Sequence, residues 1–167
     1  MPGEARSRKF VVWGALALAC CAGEAAADPD LYVGSDPDLF VQGFEELGGQ
    51  LPPPNIFGLN QATVTQDGSN NSATVKQYGG YNDVRASQTG NGNIAALVQF
   101  GVYNSINLTQ IGNANEALIG QAGSNNMATV MQNGMNNLAI IVQLGNGQNV
   151  SVTQNGNNQF ARVVQRN

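Results

Sequence analysis

The chain has 167 residues, with 7 Lys+Arg against 11 Asp+Glu, no His and a formal net charge of −4. That length suits one domain with a modest core. The absence of His removes the commonest general base and a frequent zinc ligand. At 11% charged residues, a basic face for nucleic acid cannot be assembled, so no nucleic-acid partner is expected. The excess lies in amides, 22 Asn and 15 Gln beside 21 Gly, and such bias points to internal repeats.

Residues 1–27 read as a signal peptide. Arg6, Arg8 and Lys9 form a basic start, the apolar run from Phe10 to Ala22 follows, and Ala25-Ala26-Ala27 supplies a small-residue cleavage pattern. The run is too short to span a bilayer as a helix, which takes about 20 residues. A buried N-terminal helix and a lipoprotein site at Leu18-Ala19-Cys20 are the alternatives, the latter with a poorly fitting upstream box. Cleavage after Ala27 removes Cys20 and Cys21, leaving an exported chain with no thiol, disulfide or Cys/His metal site.

Residues 28–59 form an acidic leader. Asp28, Asp30, Asp36, Asp38, Glu45 and Glu46 face no basic residue, and Pro52-Pro53-Pro54 makes a stiff break. Asp36 is placed to cap a short helix with Pro37 at its first position and Gly48 after its end, against which Gly43 counts. The segment reads either as a solvated linker or as an address used during export.

From residue 60 to 167 an eleven-residue period governs the sequence. Gln recurs at Gln66, Gln77, Gln88, Gln99, Gln110, Gln121, Gln132, Gln143, Gln154 and Gln165. Gly follows two residues later at Gly68, Gly79, Gly90, Gly101, Gly112, Gly123, Gly134, Gly145 and Gly156. An amide stands five residues after each Gln, at Asn71, Asn82, Asn93, Asn104, Asn115, Asn126 and Asn137, then Gln148 and Gln159. Counted from each Gln, offsets 5, 7, 9 and 11 read amide, small apolar, branched apolar, Gln, as in Asn137-Ala139-Ile141-Gln143. Alternation of period two predicts a strand of about seven residues with one common inward face. The remaining four residues, holding the fixed Gly, are expected to turn with positive φ. The fold class that follows is all-β: a cross-β solenoid of five 22-residue strand–turn–strand coils forming two parallel sheets.

Stacking of coils places like residues over like, about 4.8 Å apart. Offsets 7 and 9 then fill a thin core, and the inward amides stack as ladders. An unpaired buried amide costs about 1–3 kcal/mol, which explains why the amide identity repeats.

These residues resemble the curlin repeat, an amide-x5-Gln-x-Gly-x-x-Asn-x-Ala-x3-Gln pattern. Asn126-x5-Gln132-x-Gly134-x-x-Asn137-x-Ala139-x3-Gln143 matches throughout, with Asn where curlins commonly start on Ser. The resemblance implies a secreted subunit of an extracellular cross-β fibre, a cell-surface fimbrium of biofilm and adhesion. Its implied partners are other copies of the chain, other curlin subunits, a dedicated outer-membrane export pore and periplasmic and surface accessory proteins. No cofactor is implied. The acidic, apolar leader is unlike the Gly/Asn-rich start of a major subunit. Ile119-Gly120-Gln121-Ala122-Gly123 and Val163-Val164-Gln165-Arg166 look like the minor, nucleating type, and Arg162 and Arg166 add charge to the last coil. The well-kept Gln154, Gly156 and Gln165 speak instead for a major subunit.

Catalysis has little support: the repeat-region carboxylates Asp67, Asp83 and Glu116 are scattered, Asp83 reads as an ion pair with Arg85, and Lys76 is not linked to any Ser by a motif. An ice- or surface-binding solenoid is a further alternative, from the outward hydroxyl row Thr65, Ser87, Thr109 and Thr153, but Arg85 and Met131 interrupt that surface. On the second sheet the outward positions turn apolar: Ile94, Ala96, Val98, Leu118, Leu138, Ile140, Val142, Phe160 and Val164. A continuous apolar stripe usually marks an interface. It is expected to be open and to join fibrils side by side, or to dock on a partner or the outer membrane; strand propensity alone is the plainer explanation.

Overall fold

A computed structural model describes residues 58–167 of the chain. The expected signal peptide and almost all of the expected leader, including the helix expected between Asp36 and Gly48, lie outside the described residues.

Ten strands follow in sequence: β1 (Gln61–Ser69), β2 (Ser72–Gly80), β3 (Asp83–Asn91), β4 (Ile94–Val102), β5 (Ser105–Asn113), β6 (Glu116–Ser124), β7 (Met127–Met135), β8 (Leu138–Asn146), β9 (Asn149–Asn155) and β10 (Phe160–Arg166). Odd strands form one parallel sheet in the order β1-β3-β5-β7-β9, and even strands form the other, β10-β8-β6-β4-β2. Paired strand residues stand 22 positions apart throughout: Gln66 with Gln88, Leu97 with Ile119, Gly112 with Gly134. The described residues therefore form a parallel β-solenoid of five coils.

The core is the thin layer between the sheets. Val84, Ala86, Ala95, Leu97, Ile106, Leu108, Ala117, Ile119, Ala128, Val130, Ala139, Ile141, Val150 and Val152 form one buried cluster, supplied by offsets 7 and 9 of each period. Its two ends are thinner. Ala73 and Val75 in the first coil and Ala161 and Val163 in the last are only partly buried.

The turns differ from the expected four-residue loop. Strands β1 to β8 are nine residues long, and the fixed glycines sit inside them, still in register with the glycines of adjacent coils. Positive φ occurs twice per period. The first is the fixed Gly, at φ 105 to 136. The second lies two residues later, at Asn70, Tyr81, Gly92, Tyr103, Ala114, Asn125, Asn136, Gly147 and Asn158, with φ between 52 and 67. The physical reason is stacking. A Cβ at Gly112 would fall on the carbonyl oxygen of Gly134, so the backbone bends without leaving the ladder. The second site has room, since a Cβ at Gly92 or Gly147 meets nothing within 4 Å, and non-Gly residues are accepted there. Backbone bonds between coils hold it, Tyr103 N to Gly80 O at 3.2 Å and Ala114 N to Asn91 O at 2.9 Å.

Candidate assembly surface: amide ladders and open ends

The inward Gln residues form two columns. In the odd sheet, Nε2 of Gln66, Gln88, Gln110 and Gln132 donates to Oε1 of the Gln one coil on, at 2.6, 2.8, 2.8 and 2.8 Å. In the even sheet, Gln77, Gln99, Gln121 and Gln143 do the same at 2.9, 2.9, 2.8 and 2.9 Å, ending on Gln165. The second Nε2 proton crosses to the opposite sheet. It reaches a strand-opening carbonyl 16 residues back, as in Gln88 to Ser72 O (3.1 Å) and Gln121 to Ser105 O (3.0 Å). From Gln77 to Gln143 both donor protons of each periodic Gln are thus used, one along the stack and one across it. A Leu of similar bulk can do neither.

The Asn columns run the other way. Asn93 donates from its backbone N (3.0 Å) and its Nδ2 (3.1 Å) back to Asn71 Oδ1. Nδ2 also donates forward to Gly112 O at 2.9 Å. The same set recurs at Asn82, Asn104 and Asn115, each within 3.1 Å of the previous Asn and each bonded to a Gly carbonyl one coil on. Asn126 and Asn137 keep the Gly bonds to Gly145 and Gly156, both at 2.8 Å. The fixed Gly therefore has two duties: its missing Cβ lets the coils approach, and its carbonyl receives the Asn. Where Gln148 replaces Asn, the longer side chain turns to Leu144 O at 3.1 Å and its Oε1 is buried without a hydrogen-bond partner.

All seven Asn and ten Gln positions are thus gathered along the two corners and the inner walls, though not equally enclosed. The Gln and Asn side chains of the inner coils are at most 1% exposed, whereas Gln66 is exposed and Asn71, Gln77 and Gln165 are half-buried. The gradient marks the ends as unfinished. At the C-terminal end, Gln154 and Gln165 spend Nε2 on the cross-sheet bonds to Leu138 O and Asn149 O and have no Gln beyond them. At the N-terminal end, Oε1 of Gln66 and of Gln77 receives no bond from a described residue.

Sequence reasoning missed a third column at the turns. Backbone N of Ser69, Asn91, Ser124 and Met135 donates to the side-chain oxygen of Asn91, Asn113, Asn146 and Asn157, at 3.1, 3.1, 2.9 and 2.8 Å. The available signal was the 22-residue spacing of Asn91 and Asn113, three places after a Gln. It also missed two aromatic stacks, Tyr78 on Phe100 (4.5 Å) and Tyr81 on Tyr103 (5.0 Å), each between adjacent coils. The Asp83–Arg85 ion pair forms, at 3.0 Å. Asp67, Asp83 and Glu116 lie on β1, β3 and β6.

The apolar stripe on the outward side of the even sheet needs correction. It was expected to be open along its length. Phe160 and Val164 are exposed and Ile94 and Leu138 half-buried, but Val98, Leu118, Ile140 and Val142 are between 0% and 3% exposed within the chain itself. Apolar residues on an outer face become buried only where something lies across them.

Two parallel sheets, identical register through five coils and directional amide columns define a structural repeat protein of the β-solenoid class. The Curlin associated repeat matches residues 58–79, 82–112, 104–134 and 123–156, and the chain belongs to that family. It is thus a curlin-repeat subunit. A comparison with curated proteins finds no match.

Proposed function

We propose that this chain is a secreted subunit of an extracellular curli fibre that grows by head-to-tail stacking at the cell surface, and that it is the minor, nucleating type. The observation that carries the fibre reading is the complementarity of the two ends. Gln donors point out of the last coil and Gln acceptors out of the first, so a second copy adds as a sixth coil with Gln66 over Gln154 and Gln77 over Gln165. The strand edges share that polarity. Backbone N of Gln61, Asp83, Ser105 and Met127 donates to a carbonyl one coil on, and Asn149 stands at the same place with no coil beyond it. Open edges of like register template one another, and a heterologous contact of this kind does not close.

The nucleating role rests on the acidic, apolar leader and on the charged last coil with Arg162 and Arg166. One observation favours the major-subunit reading instead: the last coil keeps its rungs, Gln132 to Gln154 and Gln143 to Gln165. Mixing the chain at low stoichiometry with a purified major curlin separates the two. A nucleator shortens the lag far beyond its share of the mass, while an elongating subunit shortens it only in proportion. Purified protein that stays monomeric for days at tens of micromolar, without a reflection near ~4.7–4.8 Å, rules out both. Export through an outer-membrane pore and roles in biofilm and adhesion follow from the family resemblance, with secretion of a tagged chain as their test.

A further inference from the structure

The buried outward face of the even sheet has an occupant to be found. Ala96, Val98, Phe100, Leu118, Ile140 and Val142 are 0–7% exposed, yet none belongs to the cluster between the sheets. Their counterparts on the odd sheet, Thr63, Arg85 and Met131, stand in solvent. Strands β1 to β10 and their short turns account for residues 61–166, and each strand packs edgewise on its sheet neighbours. No described element is left to lie across this face. The burial arises within one copy, and the residues before Gly58 are the part of the chain outside these strands.

We propose that the leader, through the apolar residues between Asp36 and Gly48, seats on the outward face of the even sheet and keeps it from lateral contact. Three observations meet here. Phe40, Phe44 and Leu47 are spaced four and three apart, so a helix starting at Asp36-Pro37 gathers them on one side and puts Gln42, Glu45 and Glu46 on the other. The covered area is narrow. Burial is complete in the middle of β4, β6 and β8, from Ala96 to Phe100, Leu118 to Ala122 and Ile140 to Val142, and is lost at Thr74 on β2 and at Arg162 and Val164 on β10. Three strands span about 10 Å, and the stretch from Ala96 to Phe100 about 13 Å, which one helix about 10 Å wide and three turns long covers. The face is also shaped to receive a ring. Gly120 leaves a dip between Val98 and Val142, and Ala122 one between Phe100 and Leu144, in the coils on either side. Reach is no obstacle, since the nine residues between Gly48 and Gly58 extend to roughly 30 Å.

The proposal concerns the subunit itself and holds whether or not the chain nucleates fibres. Its test uses the full exported chain. Phe40→Asp with Phe44→Asp changes no solenoid residue, so far-UV dichroism should keep its strand signature while binding of an apolar dye rises several-fold. Separately, Phe44→Cys with Val142→Cys should form an intramolecular disulfide at a rate independent of protein concentration, whereas Phe44→Cys with Thr153→Cys, on the opposite sheet, should not. Unchanged dye binding in the Asp variant overturns the proposal. So does a cross-link that forms only between copies, which assigns the face to a second subunit, or equal cross-linking to Val142→Cys and Thr153→Cys.

Discussion

Gln121 shows what a single rung does. Its Nε2 serves Gln143 Oε1 and Ser105 O, and its Oε1 receives Gln99 Nε2, all inside a wall closed to water. Gln121→Leu strands three groups, at about 1–3 kcal/mol for each left unpaired. A lowered urea midpoint and slower fibre formation are expected, with little change for Thr109→Ala or Ser151→Ala on the outer face; equal effects would show the parity to be wrong. The two kinds of positive-φ residue make a sharper comparison. Gly112→Ala meets the left-handed cost of about 1–2 kcal/mol and also drives a methyl group into Gly134 O, the acceptor of Asn115. Gly147→Ala has open space around it, and Ala114 already occupies the equivalent place at φ 52. Thermal melting should separate the pair clearly, with the Gly112 variant the less stable. The periodic Gly residues were legible in the sequence because their identity never changes. The second site was not, because Asn, Tyr, Gly and Ala all serve when nothing crowds the Cβ.

At the scale of the element, one strand and its turn make the sequence period, but two make the structural one. Eleven residues return the same inward face, whereas only 22 return the same outward face. Deleting residues 105–126 joins Asn104 to Met127 in unbroken register and should leave a four-coil solenoid of lower stability, since such arrays are held by nearest-neighbour terms. Deleting residues 105–115 keeps every inward rung but moves all later strands to the opposite sheet. Leu118, Ile140 and Val142 then share a face with Thr63 and Arg85. That variant should retain strand dichroism while binding an apolar dye and aggregating at concentrations where the longer deletion stays soluble. The expectation of seven-residue strands erred because Gly within a strand ordinarily weakens it. Here the Gly column is what allows the strands to run on into the corner.

For the whole molecule, the two ends decide the behaviour. Asn149 and Phe160 open β9 and β10, and their backbone N–H groups occupy the place from which each earlier coil donates onward. Proline at both positions removes these donors without removing any bond inside the chain, and proline is tolerated at the first residue of a strand. Asn149→Pro with Phe160→Pro should therefore leave the monomer folded and slow elongation from the C-terminal end, as seen by seeded growth with the ends distinguished. Growth at the parental rate would place the contact elsewhere. By itself the sequence determined the strands, the five coils, the inward columns and the core, because each depends on spacing along the chain and an eleven-residue period admits few other solutions. Only the tertiary structure decided the opposite directions of the Gln and Asn columns, the cross-sheet bond that makes Gln irreplaceable, and the enclosure of the second outer face. These depend on what a side chain finally meets beyond its own strand, and the period alone does not specify that.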